Sequence, residues 1–473
     1  MLLASGVKLE GISSVVPIII DPDASNGDVV RTIDILKLYH SIRERISDPS
    51  QFFGTSLQTL SQISGDYNFS PDQFKFEVDG TENKKFKEFI GESSLDDANR
   101  SLVQLLFSEE NLDAEMEVGF KGNPNIGSVV LNQMVQSEQF RTFAQSFTDN
   151  DKIFIVSSIF GGTGAAGFPL LIKNLRSGAS IIPNGSIIRD SQIGAVTVLP
   201  YFNVQENEES AINSDTFLEK AKCAMGYYDR TIIDNKSLNA LYYIGDTPIA
   251  SYKNSEGSDE QKNDAHFIEL ASALSIVDFC RNSGSYHTVN GASENPTEFK
   301  EYGVNIESTQ TSMSFSGLDK ESLHLLQPTL SSFMMMNLYL NLGLEKSLSK
   351  GSVWCTDNAT KTDKKFFESV VYQKEIKAFF DYFETWLEEL DRNVISFSPF
   401  HLNIEEKNAL CFIKGQKPNK KFGVFSKENF NGLTKLNNKK YLEFKEESAT
   451  SQLVKMMEKA IEEEMKDREL IMS

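Results

Sequence analysis

The chain of 473 residues lacks the features of several protein classes. Its four cysteines lie far apart, form no C-x-x-C pair and do not cluster with the five histidines, so no zinc site is indicated. No apolar run approaches the ~20 residues that a membrane span needs, and the apolar run near the start is too short for a signal peptide. The sequence therefore predicts a cytoplasmic protein with buried, reduced thiols.

Positive charge is also scarce. The formal net charge is -20, with 47 Lys and Arg against 67 Asp and Glu. Nucleic acids and anionic membranes are bound by basic patches, so the composition argues against both as partners. A content of 40% hydrophobic and 24% charged residues is ordinary for a globular protein. The length predicts two domains, with room for helical additions.

The most informative segment covers residues 152–169. A β-branched and aromatic run at residues 153–156 predicts a buried strand, and residues 168–176 have apolar side chains at helical spacing. Between them lie four glycines in seven residues, Gly161-Gly162-Thr163-Gly164-Ala165-Ala166-Gly167. This loop is neither a Walker P-loop nor a G-x-G-x-x-G motif.

A strand, a glycine loop and a helix in this order can cradle a phosphate. Backbone N–H groups approach an anion closely where side chains are missing, and the helix N-terminus adds partial positive charge. The hydroxyl of Thr163 could donate a further hydrogen bond. The alternative is a tight turn that only lets strand and helix pack closely. The flanking strand and helix favour phosphate binding.

The loop resembles the Gly-Gly-Thr-Gly-Ala-Ala signature of the tubulin/FtsZ superfamily, in particular that of a prokaryotic tubulin-like family of large proteins. The resemblance implies a GTP-binding protein in which Gly161, Gly162, Thr163, Gly164 and Ala165 surround the phosphates. It also implies Mg²⁺ beside the nucleotide, and self-association or a protein partner.

The expected fold class is α/β. Strands that alternate with helices across residues 14–245 predict a parallel sheet with helices on both faces. We expect a nucleotide-binding domain over residues 1–262, with an insertion at about 47–117. A central helix over residues 263–283 and a second α+β domain with C-terminal helices over residues 284–473 complete the expected architecture.

The start of the chain departs from the resembled family. Residues 1–6 look like the end of a helix with a glycine stop. In the family, a first strand and a first Gly-x-Gly-Gly loop precede this point, and the sequence contains neither. We expect that the chain begins inside the first helix, through a mis-assigned start codon or a truncation, or that it has lost half of its nucleotide cradle.

Three polar residues are candidates for the phosphate end of the site. Asp21 and Asp23 follow a predicted strand at residues 14–20, at the edge where open α/β sheets bind ligands. Either carboxylate could hold a water on Mg²⁺, or Asp-Pro-Asp serves only as a turn. Asn123, in the turn-rich segment 120–127, falls where the family has a loop near the γ-phosphate, and ordinary turn use is its alternative.

The resemblance also implies that an asparagine at the start of the central helix reads guanine, through the paired donor and acceptor groups of its amide. Asn263 stands at that place. Its alternative role is the N-cap of the helix, for which Asp264 serves equally well. His266 and Glu269 share a helix face and suggest a general-base pair or a structural histidine.

Efficient hydrolysis is not expected. In the family it is completed by an acidic loop after the central helix, supplied by the next subunit. The matching segment 281–287 contains no acidic residue, and Asp278 lies within the helix. The resemblance therefore implies nucleotide binding with weak or no GTPase activity, in a self-assembling or scaffold protein.

Two other functions stay open. One is an ATP-dependent adenylating enzyme of the ubiquitin-activating type, because Asp21, Asp23, Asn26 and Arg31 faintly echo the Asp-x-Asp, Asn and Arg of that class. Against it, the chain offers no candidate catalytic cysteine and no zinc quartet. The other is a scaffold that has lost nucleotide binding, as the missing first loop and the missing acidic loop suggest.

Overall fold

The structure is a computed structural model. It describes residues 1–23, 25–65, 73–76, 78, 80–81, 83–116, 120, 123–177, 182–204, 214–246, 251–252, 262–301, 312–418 and 428–470. Residues 121 and 122 of the turn-rich segment, and parts of the expected insertion, lie outside them.

The first part of the chain folds into short elements around one longer helix. Its two-residue strands pair in parallel, Ser14–Val15 with Ser56–Leu57 and Ile19–Ile20 with Lys75–Phe76, instead of forming the single strand expected at residues 14–20. The elements are β1 (Ser14–Val15), β2 (Ile19–Ile20), α1 (Gly27–Arg43), β3 (Ser56–Leu57), α2 (Leu60–Ser64), β4 (Lys75–Phe76), α3 (Phe86–Phe89), α4 (Asp97–Leu106), α5 (Glu109–Leu112), α6 (Pro124–Leu131) and α7 (Glu138–Ser146).

The middle of the chain builds the main sheet. It contains four parallel strands, which lie side by side in the order Glu298–Glu301, Ala240–Ile244, Gln192–Val198 and Lys152–Ser158. The elements of this region are β5 (Lys152–Ser158), α8 (Gly162–Ser177), α9 (Gly185–Asp190), β6 (Gln192–Val198), β7 (Asn203–Val204), α10 (Ser214–Tyr228), β8 (Ala240–Ile244), β9 (Ser251–Tyr252), α11 (Phe267–Asn282), β10 (Thr288–Val289), β11 (Ala292–Ser293) and β12 (Glu298–Glu301).

Helices cover both faces of this sheet. On one face, Val196 and Tyr242 pack in the same apolar cluster as Phe279 of α11. On the other, Ile155 and Ile193 pack with α8 and with Tyr228 at the end of α10. A parallel sheet must be covered in this way because both of its faces are apolar. The structure therefore confirms the predicted α/β class.

The central helix α11 begins at Phe267 and ends at Asn282. The chain then returns to the main sheet, because β12 pairs in parallel with β8. Residues 298–301 therefore belong to the main sheet, whereas the sequence predicts them in the second domain.

The last part of the chain is mainly helical. A π-helical turn, Val371–Ile376, lies between the helices Lys364–Phe367 and Lys377–Arg392. Its elements are β13 (Ser312–Met313), α12 (Lys320–Leu338), α13 (Leu344–Ser349), α14 (Val353–Thr356), α15 (Lys364–Phe367), α16 (Lys377–Arg392), β14 (Ser396–Phe397), α17 (Asn431–Lys440) and α18 (Ala449–Asp467).

One apolar cluster holds these parts together. It contains side chains from Leu2 near the start to Leu470 near the end, and includes residues of α1, α11, α12, α16 and α18. No helix among the described residues combines the length and apolar character needed to cross a bilayer. Of the cysteines, Cys280 and Cys355 are buried as expected, whereas Cys223 is exposed.

A buried carboxylate ties α16 to the segment that leads into α11. Glu389 is 6% exposed and accepts hydrogen bonds from Arg31 of α1, at 3.0 and 3.1 Å, and from the backbone N–H of Ala265, at 2.8 Å. Nearby, Arg392 forms a bidentate ion pair with Asp264, with both N–O distances at 2.6 Å. We call this group of contacts, centred on Glu389, the Glu389 clamp.

Removing the charge of Glu389 should destabilise the protein, because Arg31 and the Ala265 N–H would lose a buried ionised partner. We expect Glu389→Gln to lower the free energy of unfolding by about 2–4 kcal/mol. The neighbouring Glu388 is exposed, so Glu388→Gln should change it by less than about 0.5 kcal/mol. Urea unfolding of both variants measures the difference, and equal effects would show that the clamp adds no stability.

Candidate functional site

The predicted glycine loop is shorter in the structure. Helix α8 begins at Gly162, and the N–H of Ala165 already bonds to the carbonyl of Gly161 at 3.3 Å. Only residues 159–161 connect β5 to the helix. The loop expected over seven residues is therefore corrected to a three-residue turn, and Gly162, Thr163, Gly164 and Ala165 form the first helical turn.

Gly164 lets this helical turn rest on the end of β5. A Cβ atom on Gly164 would lie 2.7 Å from the carbonyl oxygen of Ser158 and 2.9 Å from its nitrogen. Both atoms belong to the backbone, so a side chain here would push strand and helix apart. Close packing, the alternative considered from the sequence, is thus one role of this glycine.

The same turn presents unpaired donors. The first N–H groups of a helix have no partner within it. No described residue accepts a hydrogen bond from the N–H of Gly162, Thr163 or Gly164. These amides lie just beyond the carboxyl end of β5, where the positive end of the helix dipole favours an anion.

A proline and a tyrosine hold the turn in place. Pro169 lies inside α8 and has no N–H to donate to the carbonyl of Ala165, four residues earlier. The hydroxyl of Tyr228 donates to that carbonyl instead, at 3.4 Å. Tyr228 also packs edge-to-face on Phe168, with 5.0 Å between ring centroids. The first turn of α8 is therefore anchored from the end of α10.

Two buried hydroxyls lie on the α8 face of the sheet, one residue before its carboxyl edge. Ser157 of β5 and Thr197 of β6 are register partners. Thr197 is 0% exposed, and neither Oγ of Ser157 nor Oγ1 of Thr197 contacts a described hydrogen-bond partner. Buried hydroxyls normally have hydrogen-bond partners, so these two are available to a polar ligand at this end of the sheet.

Aromatic contacts connect the turn to the start of the central helix. Phe160, which precedes Gly161, lies 6.4 Å from Tyr201 and 5.6 Å from Phe202, measured between ring centroids. Tyr201 in turn lies 4.7 Å from the ring of His266. The chain after β5, the chain after β6 and the lead-in to α11 therefore meet at one edge of the sheet.

The turn around Asn123 borders the same place. A Cβ atom on Gly127 of α6 would lie 3.1 Å from the carbonyl oxygen of Gly162, so α6 and α8 begin close together. Asn123 is the N-cap of α6 and accepts hydrogen bonds from Asn125 N–H at 3.0 Å and Ile126 N–H at 3.4 Å. Its side chain thus performs the ordinary capping role.

Asp21 and Asp23 form a turn after β2. The Asp23 N–H donates to Oδ1 of Asp21 at 2.8 Å, and Oδ1 of Asp23 accepts from the N–H and hydroxyl of Ser25. Ile20, the preceding residue, packs against the cluster that contains Ala166 of α8. Burial raises the pKa of Asp21 to about 6, although the hydrogen bond from Asp23 and the charge of Lys75 oppose this shift.

Asn263 does not lie at the helix start. The N-cap of α11 is His266, whose Nδ1 accepts from the Ile268 N–H at 3.2 Å, so the expected caps Asn263 and Asp264 are both wrong. The Asn263 side-chain amide donates to Asp28 at 2.7 Å. His266 is buried, which lowers its pKa, and it fits the structural alternative.

Sequence reasoning missed the hydroxyl pair and the aromatic contacts. Ser157 and Thr197 become neighbours only through the β5–β6 register, which a single sequence does not reveal. Tyr201, Phe202 and His266 meet because successive strands end at one edge. Within the described ranges, no three His, Cys, Asp or Glu side chains are grouped as a protein-held metal would require.

No protein-family model matches the chain, and no curated protein matches it. Among solved structures, CetZ1 from Haloferax volcanii, a GDP-bound monomer, is similar at 14% sequence identity with a TM-score of 0.24. The similarity covers 49% of this chain and 50% of that one, so it spans about half of each. So low a TM-score does not establish a shared fold.

The raised pKa of Asp21 predicts how its stability contribution varies with pH. A carboxyl whose pKa is about 6 in the folded state, against an ordinary 3.8, favours folding when protonated. That contribution is lost as the pH rises through about 6, at a cost of about 1–3 kcal/mol at neutral pH. Asp21→Asn keeps the oxygen that accepts from Asp23 and removes the charge. We expect the variant to melt above the wild type near neutral pH, with the gap closing toward about pH 4. A gap that is constant with pH would contradict this.

Proposed function

We propose that the chain is a guanine-nucleotide-binding protein of the tubulin/FtsZ type. The observation that carries the proposal is the open N-terminus of α8 at the carboxyl edge of the parallel sheet. Ligands of open α/β sheets bind at this edge. The Gly-Gly-Thr-Gly-Ala-Ala string at this point gives the guanine-nucleotide preference through its resemblance to that superfamily.

The residues present fit a phosphate. The amides of Gly162, Thr163 and Gly164 offer three donors that no described residue uses. The Thr163 side chain is half-buried in the same helical turn, where its hydroxyl can add a fourth donor.

Magnesium would enter with the nucleotide. Mg²⁺ in nucleotide sites is held by one or two carboxylates, by waters and by the phosphates. Asp21 suits this role better than Asp23, because no described residue donates to its Oδ2, whereas Asp23 closes the turn with Ser25. A bound cation would also lower the raised pKa of Asp21.

Reading of guanine by Asn263 has a structural cost. Its amide nitrogen and backbone N–H both bond to Asp28, at 2.7 and 3.1 Å. The side chain would have to exchange Asp28 for the base. The proposal therefore rests on the phosphate end of the site, with Asn263 as the candidate base-reading residue.

Weak or absent hydrolysis is part of the proposal. Asp278, the acid nearest to the segment 281–287, accepts from the Tyr242 hydroxyl at 2.5 Å and from Lys300 at 2.7 Å. It also accepts from Asn282 at 3.0 Å. A carboxylate held by three partners is poorly placed to activate water, so we propose that nucleotide binding controls self-association or partner binding.

The structure offers the adenylating alternative little support. Asn26 caps α1 through the N–H groups of Asp28 and Val29, and Arg31 is held by Glu389 and Asp28. Both residues that should contact a nucleotide in that class are thus used structurally. A scaffold without nucleotide remains the second candidate, because the Asp28 contacts of Asn263 favour it.

Substitution of Thr163 can test phosphate binding without disturbing the fold. An acidic residue in the first turn of a helix is stabilising by about 0.3–1 kcal/mol, yet it repels a phosphate. We expect Thr163→Asp to keep the melting temperature and to weaken GTP binding by about tenfold or more. This corresponds to a loss of about 1.4 kcal/mol or more of binding free energy. Thr163→Asn has nearly the same shape without the charge and should stay within about threefold of the wild type.

Equilibrium binding of GTP and of ATP, each with Mg²⁺, to the three proteins gives the answer. GTP bound more tightly than ATP, with only the aspartate variant impaired, supports the proposal. ATP bound more tightly favours the adenylating enzyme, and binding of neither favours the scaffold. Gly164→Glu is a poorer probe, because its side chain would meet the backbone of Ser158 whether or not a ligand binds there.

A further inference from the structure

We infer that the outer face of α4 is a docking site for a protein partner that presents a basic, amphipathic helix. The face consists of Leu102, Leu105 and Leu106, and we call it the leucine face. These side chains are 51%, 82% and 60% exposed. No other described helix carries three large apolar side chains in the exposed state. The inference is independent of the nucleotide site.

The opposite side of α4 is already fixed to the protein. Val103 and Phe107 pack against the cluster around Phe86, and the rings of Phe86 and Phe107 lie 4.9 Å apart. Asp96 caps the helix through the N–H of Asn99 at 2.8 Å. The helix is therefore formed and oriented before any partner arrives, which lowers the entropic cost of binding.

The spacing of the leucines fits a helical partner. Positions 102, 105 and 106 are related as i, i+3 and i+4, so they form one stripe along the helix. Amphipathic helices bind such stripes through apolar anchors at the same spacing. An isolated exposed leucine needs no explanation, but a contiguous stripe of three indicates an interaction surface.

Charge decides which partner fits. Residues 91–116 contain seven carboxylates and a single arginine, which lies 3.6 Å from Asp97, and Asp113 pairs with two lysines outside this segment. Glu109 and Glu110 follow the leucines and are exposed. A partner with Lys or Arg beside its apolar anchors is attracted to this rim, whereas the same face of a second copy would bring an identical acidic rim against it. An anionic membrane is repelled for the same reason.

The test uses the full chain and a labelled helical peptide of about 18 residues, built from leucine at helical i, i+3, i+4 spacing and lysine elsewhere. A matched peptide with glutamate in place of lysine is the charge control. The protein variants are Leu105→Ser/Leu106→Ser and, as a control with the same number of exposed apolar residues replaced, Val370→Ser/Leu442→Ser, whose side chains are 72% and 50% exposed elsewhere. Fluorescence anisotropy gives the affinities, and circular dichroism confirms that each variant is folded.

We expect the Leu/Lys peptide to bind the wild type and the control variant alike, and the Leu105→Ser/Leu106→Ser variant about tenfold more weakly. Glu109→Gln/Glu110→Gln should weaken binding by about threefold and reduce its salt dependence. Equal affinity of the wild type and the leucine variant would overturn the inference, since binding would then be only electrostatic. Equal binding of the Leu/Glu peptide, or a dimer in sedimentation that the leucine variant abolishes, would also overturn it.

Discussion

A parallel sheet with two apolar faces imposes the constraint on which this structure depends. Neither face of β5, β6 and β8 can be left in water, so α11 must cover one and α8 with α10 the other. Each connection returns the chain to the amino edge of the sheet, so all of its parallel strands end at the same carboxyl edge. The carboxyl ends of the strands, the start of α8 and the lead-in to α11 are therefore neighbours by topology.

That edge is polar because helix starts and strand ends meet there. The first amides of α8 have no internal partner, and Ser157 and Thr197 carry buried hydroxyls beside them. The Glu389 clamp holds the lead-in to α11 from the other side. The lead-in to α11, which contacts Tyr201 through His266, is therefore fixed to α16.

Much of the main sheet could be predicted from the sequence. The β-branched runs of β5 and β6 and the strand at Ala240–Ile244 follow from local composition, and all are strands. The glycine segment does connect a strand to a helix, as predicted, but the loop is shorter than the sequence predicts because the helix begins at Gly162. Glycine-rich sequence favours a loop, whereas the contact of Gly164 with Ser158 and the anchoring by Tyr228 fix it as helix. Tertiary contacts of this kind leave no trace in local sequence.

The same limit explains Asn263 and β12. An asparagine followed by aspartate before an apolar run suggests a cap, but Asp28 and Arg392 draw both side chains away and leave the cap to His266. The strand Glu298–Glu301 is short and charged, so nothing in its composition indicates a place in the main sheet.

A structure of the protein with GDP and Mg²⁺ is the most direct test of the proposed phosphate site. We predict that the phosphates lie within hydrogen-bond distance of the N–H groups of Gly162, Thr163 and Gly164. A nucleotide bound elsewhere, or none bound, would contradict the account.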